Sequence, residues 1–446
     1  MVGLMLRIFM FAVLIFAAAP AQAQTIIRDT EIEGIFKDWG APLFKSAGIP
    51  ADNVHIILVQ SPQVNAFVAG GSNIFFYTGL LEKTENPGEI IGVFAHELGH
   101  IAGSHLISTR QAMERASYES ILGTVIGVGA AILSGNAGAA NAGISGGQSF
   151  AARRFLANSR VNESAADQAA LSYLQTAHLS PNGMVSFLEK LETEELLPSS
   201  QQSEYVRTHP LTRDRIDTVK AGAEKSSYTN TAFPAAWNEQ HARMKAKLIG
   251  FISPGRVAWV YDDRDQSVVA RYARAIADYR ENRIDSALSG INALITDEPQ
   301  NPYFYELKGQ MLVEFSRIEE GIPAYRKAVD LKPDAALLRI ALAHALIESG
   351  NDKVRLNDAI DHLQRALKDE SRSTQVHRLL ATAFGRLGDE SMAKVHLAEE
   401  AVLQGRTDYA SAQIENVLKT EAKDSRAAIK ARDLKAHIET LKARAN

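Results

Sequence analysis

The 446-residue chain contains no cysteine. That absence excludes a thiolate metal site, a cysteine nucleophile and a disulfide framework. Positive charge is not in excess: 48 Lys and Arg stand against 52 Asp and Glu, a net charge of -4. The balance gives no reason to expect a nucleic-acid partner. Apolar runs of membrane-spanning length are also missing. The first run, Ile8 to Ala19, is about a dozen residues, whereas a span needs about 20. It follows Arg7 and ends at Ala21-Gln22-Ala23, the small-x-small pattern of a cleavage site. Residues 1–23 are therefore expected to be a signal peptide, and the mature chain to reside in a bacterial periplasm, where disulfides are permitted but not required. Charge is absent once more from Ser120 to Ala152, apolar at first and then rich in Gly, Ala, Asn and Ser. Its glycines and asparagines argue against a spanning helix. The expectation is a lid, or a segment making peripheral membrane contact.

With 46% hydrophobic and 22% charged residues, the composition is that of a globular protein with two or three domains. Residues 24–262 read as one domain and 263–446 as another. The first opens with a helical pattern from Thr30 to Ala47. Short β-type runs follow at Val54–Val59, Ala66–Val68 and Ile74–Tyr77. Gly70-Gly71 marks a hairpin between the last two. Such an edge strand can hold an extended peptide by main-chain pairing, or be a purely structural hairpin.

After the break at Asn86-Pro87-Gly88 comes His96-Glu97-Leu98-Gly99-His100. Two histidines four apart on a helix leave the same face and can grip one zinc ion. Glu97 cannot ligate from the same turn, but it can reach a water on the metal and act as general base. A catalytic zinc needs a third protein ligand. The pattern H-E-x-x-H-x-x-G-x-x-H is met at Gly103 but fails at its last position, which is Leu106. His105 comes one residue early, and on a straight helix running on to about Tyr118 it points away from His96. It is expected at the surface or against a second helix. The remaining candidate is Glu163, four residues before Asp167 on one helical face. Asp167 would accept the free ring N–H of a ligating histidine. Ala165, Ala166, Ala169 and Ala170 suit a helix that approaches the zinc helix closely. Arg215, Tyr205 and His209 are candidates to stabilise the oxyanion. His209, in a loop before Pro210, also suits a ligand at the open metal position.

From Asp262 onward the pattern is nearly continuous helix. Ala287, Gly321, Ala359 and Ala393 recur at spacings of about 34, 38 and 34 residues, the tetratricopeptide period. In the best unit Tyr305, Gly309, Leu312, Gly321, Tyr325, Ala328 and Pro333 fall at the expected offsets. The fold class expected is mainly α with a small β-sheet, followed by an all-α repeat solenoid. Helices at 408–418 and 425–445 would close it.

Asn65-Ala66-Phe67, Gly79-Leu80-Leu81, His96 to Ile101, Asn162-Glu163 through Asp167, and Thr208-His209-Pro210 together resemble the HtpX and Oma type of gluzincin zinc metallopeptidase. The leader and the repeats resemble that family's soluble periplasmic branch. The resemblance implies one zinc held by His96, His100 and Glu163, and a latent state in which His209 caps the metal. It also implies protein clients, outer-membrane β-barrel proteins and their assembly machinery, met through the repeats. An interaction scaffold or chaperone with a rarely active zinc site is the alternative.

Overall fold

The computed structural model describes residues 25–105, 159–195, 197–198 and 200–445. The expected leader, the 120–152 segment and the expected continuation of the His96–His100 helix toward Tyr118 lie outside the described residues. By contacts, the chain divides into two units. One comprises residues up to Arg28 and Glu33–Lys245, the other Asp29–Ile32 and Ala246–Asn446.

The first unit is a four-stranded sheet with helices. Its strands are β1 (Thr25–Ile27), β2 (His55–Gln60), β3 (Ala66–Ala69) and β4 (Asn73–Tyr77), in the order β1-β2-β4-β3. β2 and β4 run parallel, while β3 returns antiparallel to β4 through Gly70 and Gly71, both at positive φ. β1 is a strand that the three-residue Thr25–Ile27 run was too short to announce. The helices are α1 (Thr30–Ala47), α2 (Thr78–Lys83), α3 (Pro87–Ala102), α4 (residues 159–176), α5 (Asn182–Glu195), α6 (Glu204–Thr208) and α7 (Arg213–Glu224). α8 (Ala235–Ile252) runs on past the division. Phe36 and Trp39 of α1, Phe76 of β4 and Phe94 of α3 fill the core. The Phe36 and Phe76 rings stand 4.7 Å apart, near enough for a favourable tilted pair.

α3 owes its start to Asn86, whose side chain accepts from the Glu89 N–H, with Pro87 in the first turn. It is buried from Pro87 to Gly99. Helices pack against it through its glycines. A Cβ on Gly99 would lie 2.8 Å from the Ala166 carbonyl oxygen of α4, and one on Gly92 would lie 2.7 Å from Met184 Cα of α5. The small residues expected to bring α4 onto the helix of His96 and His100 thus meet a glycine there.

The second unit is a stack of antiparallel helix pairs: α10 and α11 (Val268–Arg280, Ile284–Asp297), α12 and α13 (Pro302–Glu314, Ile318–Leu331), α14 and α15 (Ala336–Glu348, Lys353–Ala366), α16 and α17 (Thr374–Leu387, Glu390–Leu403), and α18 and α19 (Thr407–Thr420, Arg426–Ala445). A short helix α9 (Val257–Val260) precedes them. Ala246, Ile249 and Val257 pack on Ala273 and Ala277, so residues just after Lys245 share this unit's core. Inside the repeats, Gly309 lets the Tyr325 ring close on α12, since an added Cβ would meet it at 2.8 Å. No described helix is long and apolar enough to cross a membrane.

Candidate metal centre

α3 delivers His96, Glu97 and His100, α4 delivers Glu163 and Asp167, the end of α6 delivers His209, and α7 delivers Arg215. His96, His100, Glu163 and His209 each turn a ligand atom into one spot, all within 4.8 Å of one another. The Nε2 atoms of His96 and His100 are 3.1 Å apart, and each is 3.4 Å from a Glu163 oxygen. Among the described residues this is the one such group of ligating side chains.

The outer contacts orient these groups. His96 Nδ1 lies 2.9 Å from Asp167 Oδ1, which leaves Nε2 to face the cluster. Arg215 donates from Nε and Nη2 to the two Asp167 oxygens, at 2.7 and 2.9 Å. Its Nη1 donates to the Pro210 carbonyl at 2.8 Å and lies 3.1 Å from Glu163 Oε2. A guanidinium so fully engaged ties Glu163, Asp167 and the 209–210 loop together, a posture that suits positioning more than oxyanion binding. Tyr205 is buried with its ring 4.6 Å from that of His209.

Electrostatics here are those of a place built for positive charge. Burial pushes the His96 imidazole down, but Asp167 and Glu163 outweigh it and lift it to about 10. Burial and the charge on His96 drive His100 the other way, to about 2. The two imidazoles, with Nε2 atoms 3.1 Å apart, are thus pushed in opposite directions. Burial raises the Glu163 carboxyl, yet His209 and His96 hold it well below the usual range. Burial also raises Glu97. Both Glu97 oxygens are buried and meet no hydrogen-bond donor among the described residues. Such a group costs about 1–3 kcal/mol or more unless something donates to it. A water polarised by a cation would do so.

His209 is buried, with Nε2 3.1 Å from the Ala66 carbonyl oxygen and Nδ1 3.1 Å from Glu163 Oε2. Both ring nitrogens thus face acceptors, Nε2 also lying 3.6 Å from Glu97 Oε1, and Glu163 and Glu97 raise the imidazole against the cost of its burial. Sequence reasoning did not foresee this main-chain partner, nor that Tyr205 N–H donates to the Val64 carbonyl at 3.0 Å. Backbone carbonyls carry no residue-type signal. His105 also departs from expectation. α3 ends at Ala102 and Ser104 takes a positive φ of 52°, so His105 is not on a straight continuation. It is 8% exposed and its Nδ1 lies 3.0 Å from His100 Nδ1.

Comparison with known proteins agrees with this geometry. Residues 29–223 match the model of peptidase family M48, and residues 268–425 match a tetratricopeptide repeat. The chain is similar to the beta-barrel assembly-enhancing protease of Escherichia coli, with 25% identity over 86% of this chain and 78% of that one. It resembles the protein of that name from Yersinia pestis at 23% identity over 86% of this chain and 79% of the other. A putative counterpart from Vibrio cholerae is 23% identical over 87% of this chain and 80% of its own length. The match to peptidase family M48 over residues 29–223, with tetratricopeptide repeats following over 268–425, supports a metalloprotease.

Proposed function

We propose that the chain is a zinc-dependent endopeptidase of the periplasm that attends outer-membrane β-barrel proteins and their assembly machinery, with chaperone-like help as well as cleavage. The observation that carries the reading is the convergence of His96, His100 and Glu163 beside a buried Glu97 that meets no hydrogen-bond donor among the described residues. Two imidazoles and a carboxylate are the donor set that suits zinc. Bound there, zinc would polarise a scissile carbonyl and lower the pKa of a bound water toward neutrality.

The chain's residues do the rest. Glu97 takes the proton from the attacking water and returns it to the leaving amine, a task helped by the burial that raises its pKa. Asp167 fixes the His96 tautomer, and Arg215 fixes Asp167. β3 is an edge strand in the sheet, so an extended client segment can pair with its outer edge and cross the metal centre. His209 holds the enzyme latent: it fills the position that water or substrate needs and occupies the Ala66 carbonyl on that same edge. The relatives' name supports the choice of β-barrel clients, and the repeats offer the protein-binding surface.

A scaffold with an idle metal has no use for a base at Glu97. Glu97→Gln should keep zinc but lower cleavage of an unfolded protein such as casein by about 100-fold or more, the scale of a lost general base. Wild-type turnover in that variant would end the hydrolase reading. His209→Ala should raise peptide cleavage; unchanged or lower activity would count against latency.

A further inference from the structure

Resting on the zinc reading above, we infer that His105 is a positioning residue for the metal centre, the partner that orients His100 as Asp167 orients His96. His100 Nε2 faces His96 and Glu163, and its Nδ1 lies 3.0 Å from His105 Nδ1. An imidazole that ligates through Nε2 must carry its proton on Nδ1. His100 Nδ1–H therefore donates, and His105 Nδ1 accepts with its own proton on Nε2. Ligating histidines keep such an outer acceptor because it fixes ring and tautomer and raises basicity. Among the described residues, His105 stands to His100 Nδ1 as Asp167 stands to His96 Nδ1.

The local backbone is shaped for this contact. α3 stops at Ala102, and Ser104 at φ 52° turns the chain back toward the helix. The His105 ring then lies over Gly103. A Cβ on Gly103 would fall 2.2 Å from His105 Nε2, so any larger residue must displace the ring. Gly103 itself has φ -73° and ψ -5°, which alanine adopts freely. The glycine is thus required by the neighbouring ring and not by its own backbone. Gly103-Ser104-His105 acts as a hook closing on the last zinc-bearing turn.

The test is zinc affinity, measured on the full chain by competition with a chromophoric chelator, together with the visible spectrum of the cobalt-substituted protein. His105→Ala should weaken zinc about 10–100-fold and shift the cobalt bands. His105→Asn puts Oδ1 where Nδ1 was and should restore affinity to within about threefold, because it again offers an acceptor. Gly103→Ala should weaken zinc on its own but add nothing in the His105→Ala background, the mark of two residues acting through one contact. Should His105→Ala fold poorly, the asparagine and Gly103→Ala variants still decide the matter. Affinity and cobalt spectrum unchanged in His105→Ala would overturn the inference. So would His105→Asn as weak as alanine, or a Gly103→Ala loss that persists without the imidazole. His96→Ala is the control: zinc bound as tightly as by the wild type would refute the metal centre itself, and this inference with it.

Discussion

Each unit of the chain buries a knot of charge, and the two knots keep their balance in different ways. In the peptidase unit, Glu97, Glu163 and Asp167 face three histidines and Arg215. The ligand atoms of His96, His100, Glu163 and His209 converge within 4.8 Å. In the repeat unit, Asp29, Glu31 and Glu306 gather around Lys247. Lys247 Nζ lies 2.8 Å from Asp29 and 3.3 Å from Glu31, and Tyr272 donates to Glu31 at 3.0 Å. Thr30 donates to Glu306 Oε1, while Glu306 Oε2 is buried and meets no hydrogen-bond partner among the described residues. Burial, with Asp29 and Glu31 nearby, pushes Glu306 up to about 7 despite Lys247 and Thr30. In the repeat unit the crowding of carboxylates raises the proton affinity of Glu306, whereas the peptidase unit gathers side chains that could hold a cation. Imidazoles make the difference, because they offer lone pairs where an ammonium offers only hydrogens.

The largest expected effect comes from removing the clamp. Arg215→Met leaves Asp167 and Glu163 buried without their strongest partner. It should cost about 3–5 kcal/mol of stability in the metal-free chain, read by denaturant unfolding. A loss under about 1 kcal/mol would mean that the carboxylates rest on the histidines alone. Next is Asp167→Asn, expected to weaken zinc about 10–100-fold in chelator competition while Glu163 still ligates. The smallest effect belongs to the other knot. Glu306 has a folded pKa above its ordinary carboxylate value, so its contribution is fully present below pH 4.5 and is lost as pH rises toward 7. Glu306→Gln should flatten that fall and raise stability at pH 8 by about 1 kcal/mol, measured against the wild type by thermal unfolding across pH 4.5–8. A variant less stable than wild type at pH 8 would show that the ionised carboxylate is needed.

Much of this was legible in the sequence, for physical reasons that differ by element. The spacing of His96 and His100 follows from helical geometry, and Glu163 with Asp167 repeats the same one-face logic on α4. The tetratricopeptide pairs announced themselves because each must bury small residues at a fixed period. β1 did not, since three residues give no alternation to read. Arg215 was legible as a member of the site, but its three sets of acceptors depend on where α4 and the 209–210 loop arrive. His105 was misplaced because periodicity assumes an unbroken helix, and the positive φ at Ser104 breaks it just before His105. The knot around Glu306 joins residues 29–31 to positions 247, 272 and 306, a distance in sequence across which no motif reaches.

The central claim is that one knot takes a cation and the other a proton. Native mass spectrometry of the full chain dialysed against zinc tests it most directly, with His96→Ala and Glu306→Gln beside the wild type. One zinc ion per chain is expected in the wild type and in Glu306→Gln, and none in His96→Ala. A wild-type chain that holds no zinc, or a zinc ion that survives His96→Ala, would contradict the account.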